Sequence, residues 1–404
     1  MKKRIVIIIS FLCFLLVTPV NASEGLELFS EYAYLVDPKT DIVYIDQKSD
    51  QKIYPASMTK ILTVSLALEK IKDIHEEVMI EQIDLDGLFE AEASVAGFYA
   101  GEKVTYEDLL YGALLPSGAD ACNALARLTY GNQETFVNAM NSKAESLQLA
   151  NTHFENVTGL HDDHHYTTVQ EMSVILEEAL KNPEFVKIFE ARTYQDSKRK
   201  HTWNSSLQRA YLQKNIDITH IDGAKSGFTD EAELTLASTM TIDGHQLILV
   251  TAYAKGQYTQ NHVKDAVSVY TYMNQNYHQV KIYQENDQLH DYWIIKTFEM
   301  PYHYMIDEDL TLLLDKSIDK NDLDITEDTQ SLLLAPLTKG EQLGTITMTL
   351  HDKQIYVYTM ILNEDIPMNP LAMGLLILLL LFLVLTIIHL FYKVKKIKRK
   401  KSRL

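Results

Sequence analysis

Tyr54-Pro-Ala-Ser-Met-Thr-Lys60 is the stretch on which the reading of this 404-residue chain turns. Its serine and lysine stand three apart, directly before the apolar run Ile61-Leu62-Thr63-Val64-Ser65-Leu66-Ala67-Leu68. A helix through that run puts Ser57 and Lys60 on one face, a turn apart, where an amine can touch the hydroxyl. Pro55 stiffens the entry and leaves Ser57 at the first helical turn, where unpaired amides and the positive helix end stabilise an anion. The same S-x-x-K spacing occurs at Ser49 to Lys52, Ser197 to Lys200 and Ser317 to Lys320, but each of those lies in a charged string suited to a solvated loop. A helix-cap serine and a surface lysine are the ordinary readings of either residue alone. The apolar helix after Ser57 is what singles this pair out.

For Lys60 to take a proton near neutrality its pKa must fall by about 3 units, equivalent to ~4 kcal/mol. Burial against an apolar helix together with a second cation supplies such a shift. Lys225, in Lys225-Ser226-Gly227 on an expected strand, is the candidate cation. Gly227 has no side chain to obstruct an extended substrate, and Ser226 with Lys225 can hold a terminal carboxylate. Ser117, in Pro116-Ser-Gly-Ala119 between two expected helices, can relay a proton, though taken by itself a simple N-cap serine is the preferred reading.

Working outward, the first 22 residues carry Lys2, Lys3 and Arg4, an apolar stretch and the small-residue close Val20-Asn21-Ala22, the pattern of a secretory signal. Leu371 to Tyr392 is an almost unbroken apolar run whose helical length, at ~1.5 Å per residue, matches a bilayer core of ~30 Å. Eight Lys and Arg residues follow in 393–404, which marks a cytoplasmic tail. The expected localisation is a cell membrane, crossed once, with the body outside and the C-terminus inside. Cys13 leaves with the signal, so Cys122 is the single mature cysteine and no internal disulfide is expected. Net charge is −18, and the eleven cations of the two ends face no acids there, so the body between them is more acidic still. Such a surface repels polyanions, which argues against a nucleic-acid partner.

The chain divides by pattern into a catalytic segment, 23–276, and a small all-β stalk, 277–365. In the first, Tyr32 to Val36 and Ile42 to Ile45 flank the turn residues 37–41 as a hairpin. Thr105 with Asp108 and Thr168 with Glu171 are spaced as capping boxes. Gly223 to Thr229, Leu234 to Ile242 and Leu247 to Ala254 read as strands, the last two joined by Asp243-Gly244, and a helix follows from about Asn261 to Tyr277. Two N-terminal strands, an inserted helical region and three returning strands define an α+β class with one five-stranded antiparallel sheet. The stalk shows short alternating stretches at Tyr292 to Phe298, Leu310 to Leu314, Leu343 to Leu350 and Ile355 to Ile361.

Ser57-Met-Thr-Lys60, Ser117-Gly-Ala119 and Lys225-Ser-Gly227, in this order, resemble the motifs of the penicillin-binding D-alanyl-D-alanine carboxypeptidases, relatives of the class A β-lactamases. The likeness extends through Leu115-Pro-Ser-Gly-Ala-Asp-Ala-Cys122, Asn151-Thr-His-Phe154, Gly159-Leu160 and Asp222-Gly-Ala-Lys-Ser-Gly-Phe-Thr229, and more weakly into Pro336-Leu-Thr-Lys-Gly-Glu341. The resemblance implies a β-lactamase/transpeptidase-like domain with a C-terminal β domain, acting on peptidoglycan stem peptides and acylated by β-lactams. It implies Ser57 as nucleophile, Lys60 as base, Ser117 as relay, Lys225 with Ser226 as carboxylate clamp, and the amides of Ser57 and Phe228 as oxyanion donors. Ala119 stands where the family usually has a substrate-contacting asparagine, and Ser226 where it has threonine. Lys255 is a candidate for a further carboxylate-binding cation. A membrane-bound β-lactamase and a weakly catalytic penicillin-binding scaffold are the alternatives, the second resting on Ala119. No cofactor and no metal are expected. His161, His164 and His165 with Asp162 and Asp163 read as a polar loop in preference to a zinc site, and Cys122 as a small buried residue.

Overall fold

The computed structural model describes residues 26–295, 301–330 and 332–401. The expected leader with Cys13, part of the strand expected at 292–298 and the last tail residues lie outside these. Two compact units divide the chain: one runs to Gln279 and includes Leu313–Ser317, the other takes Val280–Leu312 and everything from Ile318.

In the first unit, β1 (Ser30–Asp37) and β2 (Ile42–Gln47) form the expected hairpin. Asp37 closes its turn by accepting the Lys39 amide at 3.0 Å and the Thr40 hydroxyl at 2.8 Å. Four helices that matter to the site follow: α1 (Lys60–Lys70), α2 (Tyr106–Leu114), α3 (Ala119–Tyr130) and α4 (Val169–Leu180). Then come α5 (Ser206–Lys214), β3 (Gly223–Thr229), β4 (Glu233–Ile242), β5 (His245–Ala254) and α6 (Asn261–Asn276). The sheet order is β2-β1-β5-β4-β3 with every neighbouring pair antiparallel. The termini of the unit thus meet in the centre of the sheet, and β3 is left as an edge whose alternate backbone groups face outward.

Local signals behave mostly as expected. Asp243 and Gly244 both take positive φ, 49° and 81°, the backbone a two-residue hairpin with right-handed strand twist demands. Thr105 and Asp108 make the full reciprocal cap of α2. Thr168 caps α4, but Glu171 turns instead to Asn151 N at 3.0 Å and Thr152 Oγ1 at 2.5 Å, so its carboxylate ties down a distant loop. Helix α1 is buried along Lys60–Leu68, as a run apolar on every side requires.

The second unit is β-rich. It contains β6 (Gln288–Ile295), β7 (Tyr302–Met305), β8 (Asp324–Thr329), β9 (Leu332–Leu334), β10 (Gln342–Leu350) and β11 (Lys353–Ile361), in sheets ordered β7-β6-β9 and β8-β10-β11. One continuous helix, α7 (Pro370–Lys401), ends the described chain. Among the described residues no helix is long and apolar enough to cross a membrane. The side chains at 372, 373, 376 and 394–401 of α7 are outside the description, so the span expected at 371–392 is not established.

Candidate active site

The nucleophile turn differs from the sequence expectation in one respect. Ser57 sits in a short 3-10 turn, Ala56–Thr59, and the α-helix begins only at Lys60. The reason lies in Ala56, whose φ of 46° keeps the entry out of the right-handed helical region. Within the turn, the Ala56 carbonyl accepts the Thr59 hydroxyl at 2.8 Å. Thr59 Oγ1 is in turn 2.8 Å from His165 Nε2, and His165 Nδ1 accepts the Glu155 amide at 3.2 Å. With Nδ1 accepting and the threonine proton already used, the network assigns the ring proton to Nε2. Burial pushes the His165 pKa down to about 4, so the ring is neutral at pH 7.

Lys60 is 2 % exposed. Its Nζ is hydrogen bonded to Ser57 Oγ at 2.8 Å and donates to the Thr158 carbonyl at 2.5 Å. Burial lowers its pKa, while Cys122 and Asp120 oppose the shift. The three other S-x-x-K serines bond to carboxylates instead: Ser49 to Asp46, Ser197 to Asp108 and Ser317 to Asp315. Ser49 is buried, contrary to the solvated loop expected for it.

Ser117 lies between α2 and α3 with φ at 67°, and it is Gly118, not Ser117, that caps α3. The Ser117 hydroxyl accepts Lys225 Nζ at 3.0 Å, and the same ammonium or amine donates to the Ser226 carbonyl at 2.6 Å. Lys225 is buried on β3, and its pKa falls well below the ordinary lysine value, through burial first and then through Lys60 and Arg209. Two neighbouring amines in so dry a place cannot both hold protons cheaply, so the pair is poised to take up charge only when an anion arrives. Cys122 is fully buried and interacts electrostatically with both lysines, yet burial drives its thiol up to about 11. It is a protonated, inert thiol, as a small buried residue should be.

Gly227 serves a tighter purpose than leaving room for substrate. A Cβ there would stand 2.7 Å from Ser57 N, 2.7 Å from Thr235 Oγ1 and 2.9 Å from Ala56 Cβ. Its hydrogen lets the edge strand press against the nucleophile turn, which brings the segment carrying Ser226 and half-buried Phe228 up to Ser57. Ala119 is 1 % exposed and its amide donates to Ser94 O at 2.8 Å, so a buried methyl, with no polar group to offer a substrate, stands where the resemblance implies an asparagine.

Several neighbours carried no legible sequence signal. Arg209 of α5 donates to Leu115 O at 3.2 Å and Asn204 O at 2.5 Å, which braces the segment before Ser117. His262 of α6 is 3 % exposed, feels Lys225, has its pKa lowered by burial to about 4 and has no hydrogen-bond partner for Nδ1 among the described residues. Lys255, the candidate extra cation, is exposed; Arg209 and His262 interact with Lys225 alongside Lys60 and Cys122. Asp120 accepts the Ala96, Gly97 and Phe98 amides at 2.7, 2.9 and 3.1 Å, fixing the loop beside Ser117. A hollow of about 650 Å³, lined by Leu85, Leu88, Phe89, Val95, Phe98 and Asp120, includes none of Ser57, Lys60, Ser117 and Lys225 in its wall. In the histidine loop, Glu155, Asp162 and His164 approach one another on the surface, while His165 is committed to Thr59.

The arrangement defines a class: a serine acyl-transfer site with a buried amine on the hydroxyl and a second amine at a strand edge. Residues 19–256 match the family model described as D-alanyl-D-alanine carboxypeptidase, and 277–368 match that of the penicillin-binding protein 5 C-terminal domain. The chain belongs to this D-alanyl-D-alanine carboxypeptidase family, and its activity is the family's serine hydrolase activity. It is 28 % identical over 321 residues to D-alanyl-D-alanine carboxypeptidase DacF of Bacillus subtilis, covering 78 % of this chain and 80 % of the relative. It is 25 % identical to DacA of Escherichia coli over 84 % of each chain. Penicillin-binding protein 5 of Haemophilus influenzae shares the fold, with a TM-score of 0.73 over 84 % of this chain and 98 % of that one at 22 % identity.

Proposed function

We propose that the protein trims the terminal D-alanine from peptidoglycan stem peptides through an acyl-enzyme on Ser57. The observation that carries this reading is the 2.8 Å contact between a buried, deprotonation-prone Lys60 and the Ser57 hydroxyl. In the reaction, Ser57 Oγ attacks the carbonyl of the penultimate D-alanine as its proton passes to Lys60 Nζ. The amides of Ser57 and Phe228 receive the oxyanion, a contribution of typically ~3 kcal/mol per donor. Collapse breaks the peptide C–N bond, with the proton delivered to the leaving amine through Ser117. Water then attacks the ester, Lys60 again taking the proton, and Ser57 is released. The substrate carboxylate lies against Lys225 and the Ser226 hydroxyl, and its negative charge draws a proton back onto Lys225. Penicillins enter by the same attack on their strained amide.

The reading extends to location. The leader and the apolar run at 371–392 support a body outside the membrane, held by its C-terminal helix with the basic tail inside. An anchored enzyme suits an immobile wall polymer better than a diffusing drug, which favours the carboxypeptidase over the β-lactamase. The acidic surface supports the absence of a nucleic-acid partner.

Incubation of the chain with a pentapeptide ending in D-Ala-D-Ala, beside the Ser57→Ala variant, tests the assignment. D-alanine release and slow loss of a penicillin label by the unaltered chain alone are expected. Rapid label loss would make it a lactamase, and a stable label without D-alanine a scaffold. Equal release by both proteins would remove Ser57 from the chemistry.

A further inference from the structure

Asn156-Val-Thr158 has the form of a glycosylation acceptor, yet its asparagine is turned inward to a different task. Asn156 Oδ1 accepts three donors of the turn that follows: Thr158 N at 3.1 Å, Thr158 Oγ1 at 3.0 Å and Gly159 N at 2.7 Å. Its Nδ2 donates to Leu160 O at 2.9 Å. Four hydrogen bonds of one amide, three accepted by Oδ1 and one donated by Nδ2, are therefore spent within five residues of chain. The turn so fixed meets the nucleophile segment at three places. The Thr158 carbonyl accepts from Lys60 Nζ, the Val157 carbonyl accepts the Thr63 hydroxyl at 2.8 Å, and Gly159, at φ 81°, lies where a Cβ would fall 1.8 Å from Ala56 O.

An uncharged amine has two hydrogens to donate and one lone pair with which to accept. If the Thr158 carbonyl takes one hydrogen, rotation about the terminal C–N bond is restricted, and the lone pair can be held toward the Ser57 hydroxyl. The acceptor carbonyl is a backbone atom and cannot choose its own direction; the side chain that gathers the surrounding donors chooses it. We propose that Asn156 is a positioning residue of the acylation step, which fixes the Thr158 carbonyl so that the Lys60 amine presents its lone pair to Ser57. This rests on Lys60 being the base.

The charged and titratable neighbours of Lys60 come from three sides: Asp120 and Cys122 on α3, Lys225 on β3, and His165 in the loop that ends the same turn region. None of them bonds to Asn156, so altering Asn156 leaves that set in place. The Asn156→Asp variant keeps the three accepting contacts and adds a negative charge near the amine. Asn156→Ala removes all of them. Asn141→Ala serves as the comparison, since Asn141 makes a pair of bonds of the same kind, to Phe154 N and Phe154 O at 2.9 Å each, at the base of the same loop without reaching the Lys60 acceptor.

The experiment measures the second-order rate of Ser57 acylation by a fluorescent penicillin across pH, with melting temperatures for each full-length protein. Asn156→Ala is expected to lower the high-pH plateau at least tenfold. Asn156→Asp is expected to keep the plateau within about threefold while its acid limb moves to higher pH, because the added charge favours the protonated amine. Asn141→Ala is expected to melt earlier with its plateau unchanged. A plateau retained in Asn156→Ala, a loss in Asn156→Asp as deep as in Asn156→Ala, or a loss in Asn141→Ala as deep as in Asn156→Ala would each overturn the assignment. Lys60→Arg, run alongside, separates the two ideas: full acylation by that variant would refute Lys60 as base, whatever Asn156 does.

Discussion

Lys60 shows how one residue's surroundings set its chemistry. A lysine ordinarily titrates near 10.4 and would be a poor base at neutral pH. Burial favours its uncharged form, so the free amine persists to lower pH than usual. The acylation rate should therefore rise with pH along a limb centred below the ordinary lysine value and then level. Replacement by arginine, which keeps its proton throughout, should cut acylation by roughly a thousandfold, within the range general-base loss produces. Stopped-flow labelling with penicillin measures both, and a Lys60→Arg protein acylated at the normal rate would exclude proton transfer to this side chain. This pair was legible in the sequence because a three-residue spacing on a helical path is a local constraint. The Thr158 carbonyl was not legible, since it reaches Lys60 across 98 positions of chain and a backbone acceptor leaves no mark in side-chain pattern. Arg209 and His262 were missed for the same reason: only tertiary folding brings them to Lys225.

At the scale of elements, the site is the seam where an edge strand meets a strained turn. Strand β3 bonds to β4 on one side, from Gly223 opposite Thr239 to Thr229 opposite Glu233, and on the other no strand among the described residues pairs with it, which leaves an edge that an extended peptide can join. The turn at Ala56–Thr59 lies against it with no space for one more carbon. Gly227→Ala should consequently push the strand from Ser57 N and misplace the amides of Ser57 and Phe228 proposed as oxyanion donors. Acylation is expected to fall by at least a hundredfold, given that one lost oxyanion donor costs ~10²–10³ in rate. Because the strain is confined to a strand edge, circular dichroism should still report a folded protein, and a normal acylation rate in the folded variant would contradict this account of the glycine. The sequence placed Gly227 on a strand correctly, but suggested substrate room as its purpose. The strand pattern itself was readable, since β-turn residues and alternating burial are local; which strand became the edge was not, because that depends on β1 inserting beside β5 from more than two hundred residues away.

For the molecule as a whole, the buried bases make stability depend on pH in a definite direction. His165 and His262 are held neutral in the fold, each with its pKa lowered by burial to about 4 from 6.5. Below pH 6.5 the unfolded chain binds protons that the folded one refuses, so unfolding gains ground as pH falls. The contribution of each ring is complete above 6.5 and is lost progressively down to about 4, amounting to roughly 3 kcal/mol per ring from the size of the shift. Lys60 and Lys225, lowered from the ordinary lysine value, act in the same sense at higher pH. Chemical denaturation of the full chain from pH 4 to 8 should show stability rising with pH. His262 gives the sharper test, because its buried Nδ1 has no hydrogen-bond partner among the described residues and thus already costs stability while neutral, by about 1–3 kcal/mol. His262→Met removes both the orphaned nitrogen and the proton site while keeping an apolar side chain of flexible shape. That variant should be more stable than the unaltered chain at pH 5, with a shallower dependence on pH between 4 and 6.5. An unchanged slope would mean that His262 is hydrated or paired when folded, and that acid sensitivity arises at the other buried groups.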